Sequence, residues 1–318
     1  MSVLCITLNP AIDMTVAVDG LSVGSVNRAT DTWSNAAGKG LNAAQILSDL
    51  GFETLSSGFL GADNAAIFDK LFAEREQLAQ SKDVGSVRDA FVRVAGQTRT
   101  NIKLIDGGTT TDINGKGFVV NAADKARLIQ KIADVAGECD AILVAGSLPQ
   151  GFNEQDFDEL LTFLTSIHDK VAVDVSGRAL TIALKHRLWL IKPNNDELFE
   201  VFGEPADTLS EQAALVANLN IDNVVVSMGE KGVHWFSKNI YRATPPTMTV
   251  KSTVGAGDTL VAGMMAGLLQ NKAPQDILAR ATALSAHAVS IVGFKAADTD
   301  QLAQLLPQVV VQDVSDQA

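Results

Sequence analysis

Short, uninterrupted apolar runs recur along the chain at 3–8, 141–145, 171–173, 188–191 and 224–227. A strand covered on both faces has no solvent side, so it reads as a continuous apolar run without alternation. Between these runs lie patterns of helical period at 41–50, 65–72, 124–136, 154–166 and 209–219. Strand and helix alternate, which predicts an α/β fold with a doubly wound, mostly parallel sheet. Two stretches, about 11–36 and 88–115, break the rhythm. They are rich in Val, Thr, Asn and Arg, partly alternate, and the second carries a Gly-Gly pair at 107–108. They predict extended segments outside the main sheet, forming a small β-sheet lid. From 256 the pattern turns helical, over 256–269, 274–292 and 298–305, and the polar end 312–318 reads as frayed.

Composition narrows the classes. A chain of 318 residues suffices for one large domain, here expected over 1–318 with the lid as its appendage. A net charge of −12 argues against nucleic acid as a partner. An acidic protein that handles anions must gather its few cations locally, so lysines beside glycines draw notice. Cys5 and Cys139 both sit in apolar runs and read as reduced core thiols. The first residues lack a basic stretch, apolar core and cleavage site, and no apolar run approaches ~18 residues. A cytoplasmic protein without a membrane partner is expected.

Five segments carry chemistry. The first is Ser252-Thr253-Val254-Gly255-Ala256-Gly257-Asp258, opening the apolar helix 259–269. Small residues at a helix start let backbone N–H groups approach a phosphate, and the helix dipole favours the anion. Asp258 suits a general base beside that anion hole, and equally a helix cap. Two rival phosphate devices are excluded. A Walker A loop needs Ser or Thr after Gly-Lys, but Gly40 follows Gly38-Lys39; a dinucleotide fingerprint needs a third glycine where Leu260 stands. The second segment, Gly38-Lys39-Gly40-Leu41-Asn42, sets a lysine between glycines before a helix, suited to a phosphate or sugar oxygen or to a plain helix entry. The third ends the first strand with Asn9-Pro10-Ala11-Ile12-Asp13. Ligands bind beyond the carboxyl ends of strands in open α/β sheets, which suits Asp13 to sugar hydroxyls, although a turn aspartate reads the same. The fourth is Lys192-Pro193-Asn194-Asn195-Asp196-Glu197, where Asn194 and Glu197 face one way on a starting helix. They could hold Mg²⁺ through water or merely cap the helix. The fifth, Ser227-Met228-Gly229-Glu230-Lys231-Gly232, is a glycine turn after a strand, suited to nucleotide phosphates or to a tight turn alone.

Together, and in this order, these segments resemble the PfkB (ribokinase-like) carbohydrate kinase family over nearly the whole chain. Gly255-Ala256-Gly257-Asp258 resembles the family's C-terminal signature, and Asn194 with Glu197 its Asn-x-x-Glu motif. The segments around Asp13 and Lys39 resemble the hexose-phosphate branch, as do Gly96 to Asn101 with Lys103, and Gly146-Ser147-Leu148-Pro149. One departure is Ala37, where much of the family has Gly.

The resemblance implies a ribokinase-like fold and ATP-dependent phosphorylation of fructose 1-phosphate to fructose 1,6-bisphosphate. Tagatose 6-phosphate or fructose 6-phosphate are alternative substrates, and a non-catalytic sugar-phosphate sensor is the alternative outside the enzymes. Asp258 is the implied base, with the backbone N–H groups of Ala256, Gly257 and Asp258 holding the transferring phosphoryl oxygens and Gly255 completing the catalytic turn. Asp13, Gly38, Asn42 and Asn101 would hold the sugar. Lys39, Arg99 and Lys103 would converge on its phosphate. Lys192, Asn194, Ser227, Gly229, Gly232 and Thr253 would bind ATP, and Asn194 and Glu197 would place Mg²⁺. Arg28 and Arg88 are unassigned. The implied assembly is a homodimer through the β lid.

Overall fold

The computed structural model describes residues 1–317 apart from 108 and 292. The chain opens with β1 (Ser2–Thr7), then β2 (Ala11–Val18) and β3 (Ala29–Ala37), and enters α1 (Lys39–Asp49). β4 (Glu53–Gly61), α2 (Ala66–Ser81) and β5 (Val87–Val94) lead to the hairpin β6 (Arg99–Asp106) and β7 (Thr109–Asn114). There follow α3 (Ala122–Ala136), β8 (Ala141–Ala145), α4 (Glu154–Ile167), β9 (Val171–Asp174), α5 (Gly177–Ala183) and β10 (Leu188–Ile191). Then come α6 (Asn195–Phe202), α7 (Leu209–Val216), β11 (Ile221–Ser227), β12 (Val233–Phe236) and β13 (Ile240–Thr244). The last elements are α8 (Ala256–Leu269), α9 (Pro274–Val289), α10 (Thr299–Leu305) and β14 (Val310–Asp313).

Ten strands form the main sheet in the order β14-β13-β12-β11-β10-β9-β8-β1-β4-β5. From β11 to β5 every neighbouring pair is parallel; β12, β13 and β14 add an antiparallel edge. The apolar runs behave as doubly covered strands must. In β1, Val3 and Cys5 enter one core, shared with α1, α8 and α9, while Leu4 and Ile6 enter a second, shared with α3 and α4. Successive side chains of a strand point to opposite faces, so one strand serves two cores only if both positions are apolar. Cys5 and Cys139 are buried and free.

The small sheet has the order β3-β2-β6-β7, with β2 and β6 parallel and both outer pairs antiparallel. It departs from the sequence expectation at one end. Residues 88–94 belong to the main sheet, because β5 pairs in parallel with β4 from Thr54↔Val87 to Gly61↔Val94. Arg88, Asp89 and Arg93 lend this stretch a surface character, but Ala90, Phe91 and Val92 are consecutively buried, the mark of an edge strand covered on both sides. The tail departs too. Residues 310–313 are not frayed but pair with β13, and Val314 beyond them is buried. α9 ends at Val289, three residues before the expected end, and residue 292 lies outside the described residues. Of the Gly-Gly pair, Gly107 has a φ of 52°, and 108 lies outside the described residues.

Candidate active site

The site forms where strand ends meet the N-termini of α1 and α8. α8 begins after Gly255, whose φ of 87° is a left-handed conformation that side chains with a Cβ resist. A Cβ there would lie 2.7 Å from the ring of Phe294. Asp258 follows in the first turn and is 6% exposed. Its Oδ2 accepts a hydrogen bond from Asn42 Nδ2 of α1 at 2.7 Å, so the side chain reaches across to a second helix.

Beneath these helices lies Asp174, the last residue of β9, only 1% exposed. Its Oδ1 faces the ammonium of Lys39 at 3.5 Å and that of Lys192 at 3.4 Å. Its Oδ2 is buried and has no hydrogen-bond partner among the described residues. Lys39 is the first residue of α1 and half-exposed; Lys192 follows β10 and is buried. A Cβ on Gly257 would lie 3.2 Å from the Lys192 ammonium, so that cation sits directly under the first turn of α8.

The electrostatics follow from this crowding. Burial and then the like charge of Asp174 push the Asp258 carboxyl up to about 6, against the opposing pull of Asn42, Lys39 and Lys192. The Asp174 carboxylate in turn raises the Lys39 ammonium. Asp258 is thus ionised at neutral pH, yet far more basic than an ordinary carboxylate.

A cavity of about 300 Å³ opens on one face of the small sheet. Two cross-strand rows face it: Asn35, Asp13, Asn101 and Asn114, then Trp33, Thr15, Lys103 and Asp112. Ser252, Val254, Gly293 and Phe294 form the facing wall. Phe294 therefore touches both the cavity and the turn that starts α8. Asn101 Nδ2 donates to Asp13 Oδ1 at 2.9 Å, and burial raises the Asp13 carboxyl.

The structure brings Lys39, Asn42, Lys192, Gly257 and Asp258 together around Asp174, and Asp13, Asn101 and Lys103 around the cavity. Arg99 does not line that cavity. Its guanidinium donates to the Asn9 carbonyl at 3.1 Å and the Pro10 carbonyl at 3.4 Å, tying β6 to the turn after β1. Asn194 and Glu197 close a reciprocal capping box on α6: Asn194 Oδ1 accepts from the Glu197 amide at 2.7 Å, and Glu197 Oε2 from the Asn194 amide at 2.9 Å. The Ser227 amide donates to Pro193 O at 3.0 Å, which sets the start of the Gly229–Gly232 turn beside Asn194. Thr253 is exposed in the loop before α8, and Gly38 caps α1. Arg28 and Arg88 are exposed and do not line the cavity. No group of three or more His, Cys, Asp or Glu among the described residues could hold a metal ion.

Sequence reasoning missed Asp174, Trp33 and Phe294. Asp174 carried a readable signal, an acid closing an apolar strand at its carboxyl end. Phe294 carried none, since only folding brings it to Gly255.

A family model described as "pfkB family carbohydrate kinase" matches residues 3–300. A 1-phosphofructokinase of Vibrio cholerae is 44% identical over 314 residues, 97% of this chain and 96% of that protein. A 1-phosphofructokinase of Escherichia coli K12 is 37% identical over 98% of each. The phosphofructokinase-2 of Escherichia coli in complex with fructose-6-phosphate superposes with a TM-score of 0.81 at 21% identity, covering 96% of this chain and 98% of that one. An Arabidopsis thaliana ribokinase complexed with ribose and ATP gives 0.71 at 22% identity, covering 96% and 98%.

Proposed function

The chain belongs to the pfkB family of carbohydrate kinases, with a ribokinase-like fold, and from this premise we propose that it transfers the γ-phosphoryl group of ATP to the 6-hydroxyl of fructose 1-phosphate. The observation that carries the reading is Asp258, a buried carboxylate of raised basicity in the first turn of a glycine-started helix. Phosphoryl transfer asks the protein mainly for positioning and charge stabilisation. Asp258 takes the proton of the attacking hydroxyl, Asn42 aims it, and the amides of Ala256, Gly257 and Asp258 receive the phosphoryl oxygens. Asp13 and Asn101 hold sugar hydroxyls in the cavity, where Lys103 meets the phosphate already on the sugar. Arg99 contributes by fixing the Asn9–Pro10 turn beside them.

ATP lies along the ends of β10 and β11, against Lys192, Asn194, Ser227, Thr253 and the glycine turn. A Mg²⁺ ion on its phosphates would neutralise charge that develops during transfer. Such an ion keeps several waters and needs one or two carboxylates besides phosphate. Glu197 spends one oxygen on its capping box, so Asn194 and Glu197 suit an ion held through water. Free thiols and a phosphorylated substrate support a cytoplasmic setting; among the described residues no helix is long and apolar enough to cross a membrane.

The small sheet acts as the lid, and its outer face is the basis for a homodimer. Met14, Val16, Ile102, Leu104 and Ile113 alternate with the cavity residues and, unlike Ile12 on the same face, join neither core among the described residues.

The test of the reaction is an ATP-consumption assay with fructose 1-phosphate, fructose 6-phosphate, tagatose 6-phosphate and free fructose. The highest kcat/KM is expected for fructose 1-phosphate. Preference for another ketose phosphate overturns the substrate, and no turnover with any of them overturns the enzyme.

A further inference from the structure

Two lysines from different elements reach one buried carboxylate at the carboxyl edge of the sheet. Lys39 comes from the start of α1, beside the sugar residues; Lys192 comes from the end of β10, beside the nucleotide residues. They share one oxygen. Asp174 Oδ1 lies 3.5 Å from one ammonium and 3.4 Å from the other, at a residue 1% exposed. We propose that Asp174 is a positioning residue that clamps Lys39 and Lys192 on the two flanks of the phosphoryl path and so couples sugar-phosphate binding to ATP binding.

A buried ammonium such as Lys192 costs several kcal/mol in general unless a counter-charge meets it. Asp174 supplies that charge and leaves the ammonium against Gly257, where a Cβ would lie 3.2 Å away. The shared oxygen then ties the position of one lysine to that of the other. A lysine is a flexible point charge on a four-carbon stem, and it places charge accurately only when something fixes its end. Lys39 is half-exposed and without Asp174 would be free to swing into solvent. The groups that face Asp258 are Asp174, Asn42, Lys39 and Lys192. Asp174 thus sits at the centre of the charged set. Nothing is transferred to or from it, and its role is geometric and electrostatic.

The inference rests on the kinase reading above, and its test separates the two. In Asp174→Asn, KM for ATP and KM for fructose 1-phosphate are both expected to rise, each on the order of ten-fold, the usual worth of a charge-assisted contact. A double-mutant cycle with Lys39→Met supplies the readout that a structural role would not move. Lys39→Met should cost the wild type at least about ten-fold in kcat/KM, but only about two-fold in the Asp174→Asn background, because the lysine is already displaced. Should Asp174→Asn fail to fold, Asp174→Asn/Lys192→Met, which removes the buried charge with its partner, carries the same cycle. Losses that multiply independently overturn the clamp. So does a raised Mg²⁺ requirement with the Lys39 coupling intact, since Asp174 would then serve the metal. Normal kinetics in Asp174→Asn beside an inactive Asp258→Asn overturn the clamp alone. Full activity in Asp258→Asn overturns the kinase mechanism instead.

Discussion

At the scale of the residue, the base role proposed for Asp258 sets function against stability. Its carboxyl is raised from 3.8 to about 6, chiefly by burial. A base must be ionised to work, so kcat/KM should fall below about pH 6, an acid limb well above the ordinary carboxylate range. Asp258→Asn should lower kcat by about 10²–10⁴-fold, the usual worth of general acid–base catalysis, with nucleotide binding retained. The same burial sets the sign of a stability effect. A carboxyl whose folded pKa is raised holds its proton more tightly in the native state, so its ionisation destabilises the fold; that cost is complete above the folded value and absent below the unfolded one. Asp258→Asn should therefore melt at a higher temperature than the wild type at pH 8, with the gap closing as pH falls from about 6 to 4. Melting curves at two pH values check this, and an unchanged or lower Tm at pH 8 contradicts the burial account. Asp258 stood out in the sequence because the glycines around it are dense, and the structure buries it in the first turn of α8. Asp174 was passed over because a single acid at a strand end reads as a turn, and only folding shows two lysines meeting at it.

At the scale of the element, legibility followed burial. The doubly covered strands were readable because covering both faces imposes an apolar run, and α1 and α8 because they follow glycine turns. β5 was misassigned because its charged residues resemble lid sequence, whereas α2 and α3 cover its buried positions. The capping boxes of α3, α4, α6, α7 and α10 illustrate a second limit. The Asn194–Glu197 pair is one such box, so its spacing identifies a helix start whether or not an ion approaches. The start of α8 is different, because its glycines are kept open by neighbours, and Gly257→Ala tests that. In a helix, alanine gains roughly 0.5–1 kcal/mol over glycine. The added Cβ would meet only the far end of Lys192, 3.2 Å away, which can move aside. The expectation is an unchanged or raised Tm together with a kcat reduced by about ten-fold or more, since displacing that ammonium disturbs charge at the transferring group. A loss of Tm would mean that Gly257 serves packing, and normal kcat would mean that the position of Lys192 does not matter.

At the scale of the whole molecule, the small sheet has two unlike faces, a polar one around the cavity and an apolar one of which Ile12 packs on the main core. The inner face carries Asp13, Asn101 and Lys103 around the cavity. The outer face brings Met14, Ile102 and Ile113 into one cross-strand row and Val16 and Leu104 into the next. Ile113 is 56% exposed. A contiguous apolar face of this kind, on a sheet too small to stand alone, marks an interaction surface. A second copy of the same face is self-complementary under two-fold symmetry, the commonest arrangement of soluble oligomers. Light scattering should then give a mass near twice the 33.5 kDa of the chain. Leu104→Lys should shift the population to monomer, because a buried lysine in an apolar interface has no counter-charge. The monomer should also bind sugar phosphate more weakly, since Lys103 and Asn101 sit on the same strand as the residue that lost its support. A wild-type monomer at working concentration would remove the interface, and a Leu104→Lys dimer would place it elsewhere on the molecule.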